Sequence, residues 1–177
     1  MGIKGFNIYR TEWGVGAAIF SEMGLAGIVF PHSDEVALEE EIVKNFGKQD
    51  YREDLGQDLC SSLGRYFSGE RVQFDYQLDY TGVTEFQRKV YETLKAVPYG
   101  ETTTYKRLAE QCGSPMAARA VGGAMARNPY PVVVPCHRVL KSDGSIGGWS
   151  GKRGWKERML VIEGILPISY AEKVGLE

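Results

Sequence analysis

The spacing of apolar and polar positions changes character about halfway along the chain. In the first part, short apolar runs alternate with turn residues. Phe6-Asn7-Ile8-Tyr9, Val15-Gly16-Ala17-Ala18-Ile19-Phe20 and Leu25-Ala26-Gly27-Ile28-Val29-Phe30 read as three strands. Ser21-Glu22-Met23-Gly24 forms the hairpin between the last two. Ser33-Asp34 has the residue types that cap a helix, predicted to run to about Phe46. Leu55, Leu59, Leu63 and Phe67 recur at helical spacing and predict a second helix from about Asp54. Val72 to Leu78 alternates with period two and predicts a further strand. The expectation for residues 1–80 is a small α+β domain with no recognisable site.

From Thr84 the period becomes helical. Phe86, Val90, Leu94 and Val97 mark one helix, stopped by Pro98-Tyr99-Gly100. Thr102-Thr103-Thr104 can cap the next, about Tyr105 to Gln111, closed by Gly113. Ser114-Pro115 is expected to open a third, about Met116 to Arg127. Two helices joined by a short glycine-containing turn have the outline of a helix-turn-helix. The third helix is nearly all small: Ala117-Ala118-Arg119-Ala120-Val121-Gly122-Gly123-Ala124. Each glycine inside it costs about 1 kcal/mol relative to alanine, so the small face serves close approach of another backbone. That backbone is either a neighbouring helix or a nucleic acid, with Arg119 the one long side chain able to reach in. Asn128-Pro129-Tyr130-Pro131 then reads as a rigid turn and Val132-Val133-Val134 as an apolar strand. A glycine-rich loop from Gly144 to Gly154 precedes a last helix, about Trp155 to Glu163.

Charge sharpens the division. The net charge of −2 over 177 residues divides into −7 for residues 1–80 and +5 for residues 81–177. A basic second half fits an anionic partner, although a charge imbalance is more often a solvated face. No run approaches the roughly 20 apolar residues of a membrane span, and Met1-Gly2-Ile3-Lys4-Gly5 lacks a signal-peptide pattern. The expectation is a soluble intracellular protein. Three widely spaced cysteines, with only His32 and His137 as imidazoles, argue against a structural zinc and for a reducing compartment.

Of the cysteines, Cys60 and Cys112 read as small buried hydrophobes. Cys136 has different surroundings: Pro135 fixes the entering backbone, and His137 and Arg138 follow directly. Positive charge and a neighbouring base are expected to lower its pKa. Two adjacent strand residues would point to opposite faces, so contact between Cys136 and His137 requires a turn or an intervening water. On residue types alone Cys136 is a candidate nucleophile with a nearby base, and a cysteine hydrolase or acyltransferase fits equally.

Pro135-Cys136-His137-Arg138-Val139 resembles the active-site motif of the O6-alkylguanine-DNA alkyltransferases, also called methylated-DNA–protein-cysteine methyltransferases. Tyr99 to Tyr105, Ala117 to Met125, Arg127-Asn128-Pro129 and Ile162-Glu163-Gly164 resemble further signatures of that family, in order, over roughly Thr84 to Leu166. The resemblance implies a ribonuclease-H-like α+β N-terminal domain (1–80), its small antiparallel sheet flanked by helices. A mainly helical, winged-helix-like catalytic and DNA-binding domain with a helix-turn-helix (84–166) and a C-terminal tail (167–177) follow. It implies DNA repair by direct reversal: one irreversible transfer of a methyl or other alkyl group from O6-alkylguanine, or O4-alkylthymine, to Cys136.

By the same resemblance, Glu163 orients His137, which acts through a water as base toward Cys136. Asn128 braces the active-site turn, and Tyr105 donates a proton toward N3 of the guanine. Arg119 is the finger that fills the space of the flipped base. Thr104, Ala118, Gly122, Gly123 and Arg127 meet DNA, the second helix of the helix-turn-helix lying in the minor groove. Pro131, Val139, Trp149, Ser150 and Gly151 line the pocket, with Trp149 standing where a tyrosine is common. The implied protein is a monomer acting on double-stranded DNA, without cofactor, metal or membrane, cytoplasmic in a prokaryote and nuclear otherwise. Three rival readings remain: a lesion-binding relative without the reactive cysteine, which the thiol argues against, a helix-turn-helix regulator, for which no effector domain is visible, and a cysteine hydrolase, which turnover of a thioester substrate would reveal.

Overall fold

The computed structural model describes residues 2–148, 151 and 154–173, in two compact units, 1–81 and 82–177. In the first unit β1 (Ile3–Thr11), β2 (Gly14–Ser21) and β3 (Gly24–His32) form an antiparallel meander in that order. Tight turns join them, and the β2–β3 turn is the one anticipated at Ser21–Gly24. Two helices follow, α1 (Glu35–Phe46) and α2 (Gln57–Phe67). The Asp34 carboxylate accepts from the Ala37 amide at 2.9 Å, the expected N-cap. Phe6, Ala17, Ile19, Val29, Leu38 and Ile42 make the core between sheet and α1. On the other side, the Tyr9 ring stacks on Phe67 at 5.9 Å. Gly16 is required there, because a Cβ would sit 2.2 Å from Cζ of Tyr9.

Two expectations for this unit are corrected. The second helix begins at Gln57, because Arg52 and Asp54 pair with each other (2.8 Å) in a turn that delays it. Residues 72–78 are extended but form no strand. Only Leu78 bridges to Leu25, through Leu25 N–H to Gln77 O and Asp79 N–H to Leu25 O. The period-two pattern instead reflects alternating burial along α2. Phe74 packs on Tyr66 at 6.0 Å, and the Tyr76 hydroxyl bonds Asp58 at 2.9 Å.

The second unit contains α3 (Glu85–Lys95), β4 (Thr103–Thr104), α4 (Tyr105–Gln111) and α5 (Ala118–Ala126). A 3₁₀ turn at Cys136–Arg138, β5 (Val139–Leu140), α6 (Trp155–Ile162) and α7 (Ile168–Lys173) complete it. Val90, Tyr91 and Leu94 of α3 are buried with Leu108 and Ala109 of α4 and Val121 and Ala124 of α5. Thr104 caps α4 by accepting from the Arg107 amide. Strands β4 and β5 pair in parallel, Thr103 with Val139 and Thr104 with Leu140. That short ladder ties the start of α4 to the residues just after Cys136.

Here too the structure departs from the pattern. Helix α5 starts at Ala118, because Ser114–Ala117 closes its own turn (Ala117 N–H to Ser114 O, 2.8 Å) and leaves Pro115 outside the helix. Val132–Val134 is a turn, not a strand. Val134 N–H reaches Tyr130 O at 2.8 Å, and Val132 adopts φ of 74°. A β-branched residue there carries strain of order 1–3 kcal/mol. It is sustained because all three valines are buried. Among the described residues, no helix is long and apolar enough to cross a membrane.

Helix α3 begins with a reciprocal pair, Gln87 N–H to Thr84 Oγ1 and Thr84 N–H to Gln87 Oε1. Thr84→Ala is expected to destabilise the protein by about 1 kcal/mol in urea denaturation, with Thr84→Ser near wild type.

Candidate active site

The chemistry-bearing residues converge in the second unit, and the reason is local. Pro135 and the preceding valine turn deliver Cys136 into a single 3₁₀ turn, closed by Arg138 N–H to Pro135 O at 2.9 Å. This turn, and not a strand, sets the relation between Cys136 and His137, so the alternation that would have separated them does not apply. Cys136 is 5% exposed and His137 and Arg138 are buried with it.

His137 and Glu163 meet across 26 residues, Nε2 to Oε1 at 2.6 Å. Glu163 caps the C-terminus of α6 and accepts three further hydrogen bonds. Arg138 grips it through Nε to Oε2 (2.8 Å) and Nη2 to Oε1 (2.9 Å), and the Gly100 amide reaches Oε2 at 3.2 Å. Burial alone would raise the Glu163 carboxyl, but the bonds and charges of His137 and Arg138 outweigh it and hold the group at about 2. Glu163 is therefore a carboxylate that only accepts. Nε2 of His137 must donate to it, which leaves the lone pair of the neutral imidazole on Nδ1. His137 is pushed below its ordinary value mainly by burial; its bond to Glu163 opposes that, and the charges of Arg138 and Lys156 add to it.

The thiol contradicts the expectation of a lowered pKa. Burial dominates and pushes Cys136 up to about 11, against a hydrogen bond with Asn128, the charge of Lys156 and backbone amides. Arg138, expected to help ionise the cysteine, spends its donors on Glu163 and on the Val97 carbonyl (2.6 Å). Asn128 donates to Val134 O at 2.9 Å and accepts from the Tyr130 amide at 3.0 Å, so it spans the valine turn while contacting the sulfur. The half-buried Tyr105, first residue of α4, has its phenol raised by burial and by Cys136.

The other selected residues lie on α5 and around it. Arg119 and Arg127 are exposed, and Ala118, Gly122, Gly123 and Thr104 are partly so. Ala118 and Gly122 stand one turn apart on one face of α5, with Arg119 and Gly123 beside them. A Cβ at Gly122 would lie 3.9 Å from Cε1 of Tyr105, so this helix passes directly beside that ring. Pro131 and Val139 are buried and Gly151 is exposed; Trp149 and Ser150 lie outside the described residues. The first unit holds a cavity of about 400 Å³ lined by Phe6, Arg10, Glu35 and Tyr51 among others, and none of the selected residues borders it.

Three neighbours were not singled out from the sequence. Arg138 was read only as local positive charge. Tyr91 sits against Tyr130 (6.1 Å) and bonds Ala124 O, and burial together with Cys136 pushes its phenol up to about 12. Lys156 is 1% exposed at the start of α6. Its signal was its position: Lys156, Leu160 and Glu163 recur at i, i+4 and i+7, on the stripe where an apolar residue belongs.

Removing Arg138 would leave a buried carboxylate short of its main partner. Arg138→Met is expected to destabilise by about 3–5 kcal/mol in urea denaturation at pH 7. The pH dependence has a defined sign. Glu163 ionises lower in the folded than in the unfolded chain, so its contribution is full above 4.5 and lost as pH falls toward 2. The lowered His137 acts in the same sense, its contribution eroding as pH drops below 6.5. Urea midpoints measured from pH 7 to 2 should therefore fall throughout, and a flat profile would contradict the buried triad.

The family model described as 6-O-methylguanine DNA methyltransferase, DNA binding domain, matches residues 85–165. Over 101 residues the chain is 50% identical to the methylated-DNA–protein-cysteine methyltransferase of Mycolicibacterium paratuberculosis, covering 57% of this chain and 61% of that protein. The chain thus spans about three fifths of the length of the first curated relatives that it matches. The crystal structure of Mycobacterium tuberculosis OGT in complex with DNA superposes with a TM-score of 0.71 at 28% identity, over 93% of this chain and 96% of that one. The O6-methylguanine-DNA methyltransferase of Pyrococcus kodakaraensis KOD1 gives a TM-score of 0.67 at 33% identity, over 90% of this chain and 99% of that one. With a third of its residues identical to that structure over nearly its whole length, the chain belongs to the O6-methylguanine-DNA methyltransferase family, the methylated-DNA–protein-cysteine methyltransferases.

Proposed function

We propose that this chain repairs double-stranded DNA by moving an alkyl group from O6 of guanine, or O4 of thymine, onto Cys136 in one irreversible event. The observation that carries the reading is a buried cysteine whose neighbouring imidazole is fixed by a buried carboxylate, with its lone pair on Nδ1. Burial pushes the Cys136 thiol up to about 11, so at pH 7 it rests protonated. The resting site therefore holds Cys136 as a thiol, and ionisation is coupled to the reaction. His137 takes the Cys136 proton through a water, and the thiolate attacks the alkyl carbon. The sulfur–carbon bond forms, the carbon–oxygen bond breaks, and its electron pair goes to the purine, which accepts a proton at N3 from Tyr105. Reprotonation of the phenolate and release of the imidazolium proton close the balance. Glu163 stabilises the transient imidazolium, and Asn128 donates to the thiolate while bracing the turn. The product is a thioether, which no group in the site can cleave.

A base in the stack cannot present O6 to a buried sulfur, so the lesion must be flipped, at a few kcal/mol. In this reading α4 and α5 are the helix-turn-helix, and the small face of α5 (Ala118, Gly122, Gly123) enters the minor groove with Thr104 and Arg127 on the backbone. Exposed Arg119 fills the vacated place. Pro131, Val139 and Gly151 border the flipped base. The meander with its two helices is read as ribonuclease-H-like, and the second unit, with its short β4–β5 ladder, as winged-helix-like.

Intact-mass spectrometry after incubation with a duplex containing O6-methylguanine should show a gain of one methyl on the Cys136 peptide. Cys136→Ala should show none, and an unchanged wild-type mass would sink the reading. Tyr105→Phe is expected to slow transfer by about 10²-fold or more in single-turnover kinetics. Arg119→Ala should slow repair of the duplex while sparing transfer from O6-methylguanine supplied as the free base.

A further inference from the structure

A buried lysine stands beside this site, held by backbone carbonyls. Lys156 Nζ donates to Val139 O and to Ile146 O, both at 2.6 Å, and lies 5.9 Å from the centre of the Tyr105 ring. Among the described residues it makes no ion pair. Burying an ammonium against neutral carbonyls is unfavourable, and a long apolar side chain would fill the same space more cheaply. The two carbonyls belong to opposite ends of one excursion, β5 and the return that follows Ser145, whose inner turn is closed by Lys141 N–H to Ser145 O. Their effect is to fix the position of the charge. Among the described residues, the titratable groups that interact with it are Cys136 and His137 on the 3₁₀ turn and Glu157 on its own helix, with the Tyr105 ring on α4 beside it.

Two negative charges develop here during the proposed transfer, the thiolate of Cys136 and the phenolate of Tyr105. Neither exists in the resting state. We propose that Lys156 is a positioning residue for alkyl transfer, its ammonium pinned by the Val139 and Ile146 carbonyls so that its charge stabilises both anions as they form. A preformed charge aimed at charge that appears only during reaction assists the transition state selectively. The same placement couples Lys156 to the cysteine. Burial lowers the ammonium to about 8, against the pull of Cys136 and Glu157, so its charge fades just above neutral pH. This inference rests on the alkyl-transfer reading for its chemistry, but its electrostatic content can be measured without DNA.

The experiment is the pH profile of Cys136 carbamidomethylation by iodoacetamide from pH 6 to 10, resolved by peptide mass spectrometry, for wild type, Lys156→Arg and Lys156→Met. In wild type the logarithm of the rate should rise with unit slope, flatten near pH 8 as Lys156 loses its proton, and rise again. Lys156→Met should follow a straight line about tenfold below wild type under pH 8. Lys156→Arg, whose charge does not titrate, should stay fast with no bend. Coincident wild-type and Lys156→Met profiles would overturn the proposal, because a merely structural tie would not bend the curve. Should Lys156→Met fail to fold, the wild-type and Lys156→Arg pair decides: a bend in both, or in neither, overturns it. A parallel reaction of each protein with an O6-methylguanine duplex at pH 7 should show Lys156→Met slowed about tenfold. A wild type that bends yet gains no methyl would overturn the alkyl-transfer reading and leave the coupling of Lys156 to Cys136 standing.

Discussion

The Glu163 carboxylate lies at the C-cap of α6, out of contact with solvent, and accepts four hydrogen bonds from two other segments of chain. An isolated buried carboxylate would protonate or expel the structure around it, so those donors are obligatory. Arg138 supplies the charge balance, the Gly100 amide ties in the turn after α3, and His137 completes the set. Arg138 also bonds Val97 O and lies over Tyr99, whose hydroxyl reaches Ile162 O. One ionised group thus locks the 3₁₀ turn, the α3–β4 connection and the end of α6 into a single arrangement. It also sets the tautomer of His137, and so which nitrogen can accept a proton.

Around this anchor, burial competes with charge, and burial wins for every group near the sulfur. The thiol is raised, the imidazole and ammonium are lowered, and the phenols are raised. All of these shifts favour the neutral form. The site therefore stores little charge at rest beyond the Glu163–Arg138 pair and a weakened Lys156. Such a site holds its thiol protonated until something displaces the balance, as the proposed transfer requires.

The parts of the structure legible in the sequence were those governed by neighbours in the chain. Asp34 at the start of α1, Thr104 at the start of α4 and the Ser21–Gly24 turn all act within a few residues of themselves. Segments governed by distant partners were misread for a physical reason. Residues 72–78 alternate because α2 buries every second side chain, and that pattern is indistinguishable from a half-buried strand. Three consecutive valines favour a strand by propensity, yet Asn128 and surrounding burial hold them in a turn. Cys136 was visible as a nucleophile from its flanks, but the approach of Glu163 over 26 residues is a tertiary fact, supplied at the sequence level only by family resemblance. Lys156 went unread because its long charged side chain suggests a solvated helix face, whereas its helical phase places it on the apolar one.

The left-handed backbone of Val132 also bears on how this site can be inherited or transplanted. No valine chooses that conformation alone, so the turn exists only where Asn128 grips both ends of it and the chain around it is already packed. Pro135-Cys136-His137-Arg138 is consequently not a portable cassette. Grafted without residues 128–134 it would relax to an ordinary extended segment and present its cysteine and histidine to opposite sides. Grafted without Glu163 it would carry an arginine with nothing to hold. The smallest piece that can pass between scaffolds is discontinuous: the asparagine, the strained turn, the tetrapeptide and a helix end more than twenty residues away.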